Sequence, residues 1–197
     1  LTLFDPGDNV LVPDPGFVLY GPHAMICGAE PRRYVCRFER GFVPDVDELE
    51  PLVDERTKAI YMCFPSNPTG GTLTVAQRDA LLDFARRHDL WIITDEVYDH
   101  MLYDREHVSF VGAGYERVLM ANSFSKTFAM TGWRVGYVLC QDAEALGRAA
   151  RLQYYVTACP NDAMQYGVLA ALRDAADYPA KMMRAFRERR DRVVAAL

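Results

Sequence analysis

Apolar residues along this chain fall into two patterns: short continuous runs, and longer stretches in which they recur every three to four positions. The runs predict strands at Asn9-Val10-Leu11-Val12, Tyr34-Val35-Cys36-Arg37-Phe38, Ala59-Ile60-Tyr61-Met62-Cys63-Phe64, Leu90-Trp91-Ile92-Ile93-Thr94, Val118-Leu119-Met120-Ala121 and Val135-Gly136-Tyr137-Val138-Leu139. The third and fourth are apolar along their whole length, which is the signature of strands covered on both faces. Between them, Thr74-Val75-Ala76-Gln77 has capping-box spacing, so the Thr hydroxyl and the Gln amide can satisfy backbone groups that the first helical turn leaves free. Behind that cap, Ala80, Leu81, Phe84, Ala85 and His88 form the expected buried face of a helix. After residue 141 the strand pattern stops, and helical periodicity runs over 142–158, 161–176 and 179–197. Apolar strands joined through a helix define a βαβ crossover and a mainly parallel sheet, so the fold class is α/β.

Composition narrows the function without choosing it. The 197 residues are 50% hydrophobic and 25% charged, with a formal net charge of −5. That is ordinary for a globular protein with a core of its own, and it lacks the basic excess that grips nucleic acid. No apolar run approaches the length of about 18 residues needed to span a membrane. Five cysteines, at 27, 36, 63, 140 and 159, form no CxxC pair; they read as reduced thiols of a cytoplasmic protein. Cys36, Cys63 and Cys140 lie in apolar runs and are expected to be buried. The four histidines show no metal-ligand spacing, and the arginine run over 184–192 reads as a solvated helix face.

In a parallel α/β sheet, ligands sit beyond the carboxyl ends of the strands. The third strand runs into Pro65-Ser66-Asn67-Pro68-Thr69-Gly70-Gly71, the fourth into Asp95-Glu96-Val97-Tyr98, and the fifth into Asn122-Ser123-Phe124-Ser125-Lys126-Thr127. Gly132-Trp133-Arg134 follows shortly after. One sheet edge therefore gathers an amide, a carboxylate, a phenol, two hydroxyls, a lysine and an arginine. That set suits a phosphorylated aromatic aldehyde. A lysine amine of lowered basicity can form a Schiff base with a carbonyl. A carboxylate can keep a pyridine nitrogen protonated, which makes the ring an electron sink. Serine hydroxyls and a bidentate arginine can hold a phosphate.

Asn67-Pro68-Thr69-Gly70, Thr94-Asp95-Glu96-Val97-Tyr98, and Ser123-Phe124-Ser125-Lys126 with Gly132-Trp133-Arg134-Val135-Gly136-Tyr137 resemble the signatures of class I/II aminotransferases. These are fold-type I, pyridoxal-phosphate-dependent enzymes. The resemblance covers nearly the whole chain, and the order of its motifs, with 28 residues from Asn67 to Asp95 and 31 from Asp95 to Lys126, suits the family. It implies a three-layer sandwich around a mainly parallel sheet. It implies that Lys126 forms the internal aldimine with pyridoxal 5′-phosphate and then moves the proton of the substrate α-carbon. Asp95 would pair with the pyridine nitrogen, and Tyr98 and Asn67 would bond the ring oxygen. Ser123, Ser125 and Arg134 would hold the phosphate, and Phe17 would stack on the ring.

The implied reaction moves an amino group from an α-amino acid to a 2-oxo acid, in a cytoplasmic homodimer with no metal. The motif around Gly132-Trp133-Arg134 leans toward the aspartate-type enzymes. Two alternatives share the cofactor residues: a carbon–sulfur lyase or decarboxylase of the same fold, and a cofactor-sensing domain of a transcriptional regulator. Against the family pattern, the chain reads as a large-domain fragment. Residues 1–178 are expected to form a cofactor-binding domain incomplete at its N-terminal side, and 179–197 to begin a connector helix toward a small domain. Neither a glycine-rich phosphate loop nor an arginine for the substrate carboxylate is legible in these residues.

Overall fold

A computed structural model describes residues 2–197. Six strands form one sheet: β1 (Asn9–Asp14), β2 (Glu30–Val35), β3 (Thr57–Cys63), β4 (Trp91–Asp95), β5 (Val118–Ser123) and β6 (Gly136–Cys140). Their spatial order is β2-β1-β3-β4-β5-β6, and every neighbouring pair is parallel except β5 with β6. The helices are α1 (Tyr20–Ile26), α2 (Val46–Leu49), α3 (Val75–Arg87), α4 (Phe124–Thr127), α5 (Ala143–Thr157), α6 (Asp162–Asp174) and α7 (Tyr178–Ala196).

The two-residue period of the strands divides the core into two layers. Leu11, Ile60, Met62 and Ile92 point to one face, where Leu81, Leu82, Phe84 and Ala85 of α3 cover them. Val10, Val12, Ala59 and Cys63 point to the other, beneath Tyr20 and Ala24 of α1. This second face carries Trp91 and Ile93 of β4, and by the same parity Asp95. The strand's last residue is thus delivered to the α1 side of the sheet.

The capping box of α3 is present as expected: Thr74 Oγ1 accepts from Gln77 N–H at 3.2 Å, and Gln77 Oε1 accepts from Thr74 N–H at 2.9 Å. The buried face of that helix differs by one position from expectation. Leu82 is buried and Ala80 is exposed, because the helix presents its 81–82–84–85 stripe to β3 and β4. The second strand also shifts, to Glu30–Val35 rather than 34–38. It is an edge strand in which Tyr34 alone is buried, and Pro31, Arg32 and Arg33 leave no apolar run for a sequence pattern to flag. Residues 38–40 instead form a single tight turn, closed by Gly41 at φ 63°. Cys36 and Cys63 are buried, but Cys140, at the end of the antiparallel edge strand, is only half-buried. The arginine-rich α7 is not merely solvated either. Arg187 pairs with Asp104 at 2.7 Å, and Arg190 places its guanidinium 4.4 Å from the Tyr103 ring centre.

Between β4 and β5 the chain has no regular secondary structure, yet one buried acid ties it down. Glu96 is 3% exposed and accepts from Phe110 N–H at 3.1 Å, His107 Nε2 at 2.7 Å and Thr94 Oγ1 at 3.3 Å. Removing the carboxylate strands a buried N–H as well as the imidazole. Glu96→Ala is therefore expected to destabilise the fold by about 3 kcal/mol, within the range for breaking a buried, hydrogen-bonded pair. A lower urea midpoint at unchanged slope would register it, and an unchanged midpoint would show that the loop does not depend on Glu96.

Candidate active site

The sheet changes direction once. From β1 the chain crosses to β2 on one side, then returns to β3 on the other. The carboxyl ends of β1 and β3 therefore diverge at a switch point, where α/β sheets open a crevice. A cleft of about 370 Å³ lies there. Its walls come from five places in the chain: Phe17 and Tyr20 after β1, Cys63 at the end of β3 with Asn67 beyond it, Asp95 at the end of β4 with Val97 and Tyr98, Ala121, Asn122, Ser123, Ser125 and Lys126 around the end of β5, and Thr131 with Arg134 before β6. All eight residues singled out in the sequence, Phe17, Asn67, Asp95, Tyr98, Ser123, Ser125, Lys126 and Arg134, line this one cleft.

Local structure explains their placement. Ser123 ends β5 in extended geometry and caps α4, accepting from Ser125 N–H at 3.3 Å. That one-turn helix sets Lys126 on the cleft, with Nζ 5.7 Å from the Tyr98 ring centre, in the range of a cation–π contact. Tyr98 Oη accepts from Asn67 Nδ2 at 3.3 Å, joining the loops after β3 and β4. Arg134 is held in the left-handed region, at φ 56°, a conformation that costs a non-glycine residue on the order of 1 kcal/mol. The adjoining Trp133 ring packs so tightly on α6 that a Cβ at Gly167 would meet it at 2.2 Å.

The charged groups of the cleft form no close ion pairs. The Arg134 guanidinium donates to the Thr131 carbonyl at 2.9 Å, but among the described residues no carboxylate lies within 4.0 Å of it, nor of Lys126 Nζ. The sequence holds three lysines, at 58, 126 and 181. Lys58 donates to the Glu55 carbonyl and Lys181 pairs with Asp177 on α7, so Lys126 alone faces the cleft. Asp95 accepts from Val97 N–H at 3.2 Å and from Tyr20 Oη–H at 3.1 Å. Burial holds its carboxyl above the usual aspartate range, against the lowering effect of those two donors and of Lys126. Burial likewise pushes the Cys63 thiol up to about 11, so the cysteine in the cleft wall stays protonated and inert at neutral pH.

Sequence reasoning missed Tyr20, Cys63, Asn122 and Thr131 as cleft residues. Cys63 and Asn122 sit inside runs already identified as strand and strand end. Tyr20 belongs to a seven-residue helix containing Gly21 and Pro22, which leaves no periodic signal.

These features belong to a known family. The aminotransferase class I and II family matches residues 1–197, and the chain belongs to it. It is 40% identical over 192 residues to an aspartate aminotransferase of Pyrococcus abyssi, a match covering 95% of this chain and 49% of that protein. It is 37% identical over 197 residues to aromatic-amino-acid aminotransferase 2 of Thermococcus litoralis, covering 98% and 50% of the two. The solved structure of Thermus thermophilus aspartate aminotransferase with maleate superposes with a TM-score of 0.92 at 34% identity, covering 96% of this chain and 50% of that one. The chain thus spans about half the length of the relatives it matches. The aminotransferase fold-type I assignment and the three-layer arrangement expected from the sequence both agree with these structures. Among the described residues no helix is long and apolar enough to cross a membrane, and no group of three or more His, Cys, Asp or Glu side chains could hold a metal ion.

Proposed function

We propose that the full-length protein is a pyridoxal-phosphate-dependent aminotransferase that moves the amino group of an α-amino acid to a 2-oxo acid. The observation that carries the reading is the convergence of Lys126, Asp95 and Arg134 on one cleft, none of them held in an ion pair within 4.0 Å among the described residues. The donor set fits the cofactor group by group. The unmatched guanidinium and the Ser123 and Ser125 hydroxyls suit a phosphate. The desolvated carboxylate of Asp95 suits a protonated ring nitrogen, a cation that would offset the cost of its burial. The linked Asn67 and Tyr98 can bond a ring oxygen, and Phe17 offers a ring face at the cleft wall.

When bound, pyridoxal phosphate supplies an aldehyde for a lysine amine and a ring that takes up electrons from the substrate α-carbon. The chain's own residues do the rest. Lys126 gives and takes the proton at the reacting carbon, and the short helix α4 fixes its position. Asp95 keeps the ring nitrogen charged, Arg134 and the two serines set the orientation, and the apolar wall of Phe17 and Val97 excludes water. The family relationship supports a homodimer, and five cysteines that form no disulfide are consistent with a cytoplasmic location. The relatives are named for substrates from aspartate to aromatic amino acids, and no residue described above selects between them.

The test is two-stage. Full-length protein loaded with cofactor is incubated with one amino acid, freed of it by gel filtration, and then given a 2-oxo acid. At least one pair is expected to yield the new amino acid in an amount equal to the protein. Release of ammonia or carbon dioxide in the first stage, with no new amino acid in the second, would favour a lyase or decarboxylase instead.

A further inference from the structure

Tyr20 is 6% exposed and projects from α1 to the far side of the cleft, 75 residues away in sequence from the group it bonds. Its ring stacks on Tyr61 of β3 with centroids 5.1 Å apart and planes 12° from parallel, and Phe17 meets its edge at 5.6 Å. Those contacts leave the phenol little freedom. Its hydroxyl donates to Asp95 Oδ2, while Val97 N–H serves Oδ1. A carboxylate gripped on both oxygens can neither rotate nor drift.

We propose that Tyr20 is a positioning residue for Asp95, whose carboxylate it aims at the cofactor ring nitrogen through a hydroxyl locked in place by the Tyr61 stack. The proposal rests on the cofactor reading above, but part of it stands without cofactor. A buried phenol that served packing alone would leave its hydroxyl on any convenient carbonyl. Here it lies beside the Cys63 thiol and donates to the one carboxylate that faces the cleft, a charge-assisted bond, stronger than a neutral one. Burial holds the phenol's own ionisation well above its ordinary range, so it remains a donor at every working pH. Its donation opposes the burial that raises Asp95, which favours the charged form that a ring cation requires.

Tyr20→Phe retains the ring stack and removes only the oxygen. In the cofactor-free protein, carbon-13 NMR of labelled aspartate is expected to show the Asp95 carboxyl titrating at higher pH in Tyr20→Phe than in the parent. Glu96, Lys126 and Cys63, the other ionisable groups acting on this site, are common to both proteins. Binding of pyridoxal phosphate is expected to weaken on the order of tenfold, as for loss of a hydrogen bond to a charged group. In an Asp95→Asn background the same change is expected to have no effect on binding. Equal weakening in both backgrounds, or an Asp95 titration indifferent to Tyr20→Phe, would overturn the proposal and leave Tyr20 a core residue. Failure of the parent protein to bind the cofactor would count against the cofactor reading, and the titration would still decide whether Tyr20 governs Asp95.

Discussion

Lys126→Ala is expected to reduce amino-group transfer on the order of 10⁴-fold or more, because one substitution removes both the nucleophilic amine and the proton carrier. Among the described residues no other lysine can substitute, since Lys58 and Lys181 are outside the cleft and already engaged. Lys126→Arg is expected to be as inactive as the alanine variant. A guanidinium keeps the positive charge of the cleft, yet it does not deprotonate and so cannot serve as nucleophile or base. The pair separates electrostatics from chemistry. Both variants are expected to keep the fold, because Lys126 is only part-buried and its side chain makes no hydrogen bond or ion pair among the described residues. Transfer assays alongside thermal melts check this, and substantial activity in the arginine variant would mean that Lys126 acts only as a charge.

Asp95→Asn is expected to lower activity by about 10²–10³-fold, the typical cost of removing one charge that stabilises another at a reacting centre, while making the cofactor-free protein more stable at neutral pH. The sign follows from the burial. A carboxyl whose folded-state pKa is raised favours folding in its protonated form; that advantage is full below the ordinary aspartate range and disappears as pH rises through the raised value. Asparagine never ionises, and its amide can still accept from Val97 N–H, so its stability curve lacks this fall. Denaturation profiles of the two cofactor-free proteins are expected to meet in acid and to separate toward neutrality, with Asp95→Asn higher. Coincident curves across the whole range would show that the buried carboxylate carries no cost. Retention of a destabilising charge in a cleft is the usual mark of a functional one.

The strand-end clusters around Asn67, Asp95, Lys126 and Arg134 could be read from the sequence because the chemistry demands particular residue types next to apolar strands. The βαβ order then fixes which edge they share. Periodicity also gave the limits of α3 and α5 to α7 within a residue or two. Other features depend on tertiary contacts that leave no local pattern. Strand β2 is set by register against β1 at an exposed edge. Tyr20 acquires its place because α1 packs on the Val10 and Val12 face of the sheet. Glu96 adjoins Asp95 in every reading of the chain, but its inward grip on Phe110 and His107 appears only when the loop closes over it.

The central claim, that Lys126 is the cofactor lysine, can be tested by one labelling measurement. Full-length protein loaded with pyridoxal phosphate is reduced with borohydride, digested and mapped by mass spectrometry. A reduced cofactor adduct is expected on the peptide carrying Lys126, and an adduct confined to any other lysine, or none at all, would show that Lys126 does not hold the cofactor.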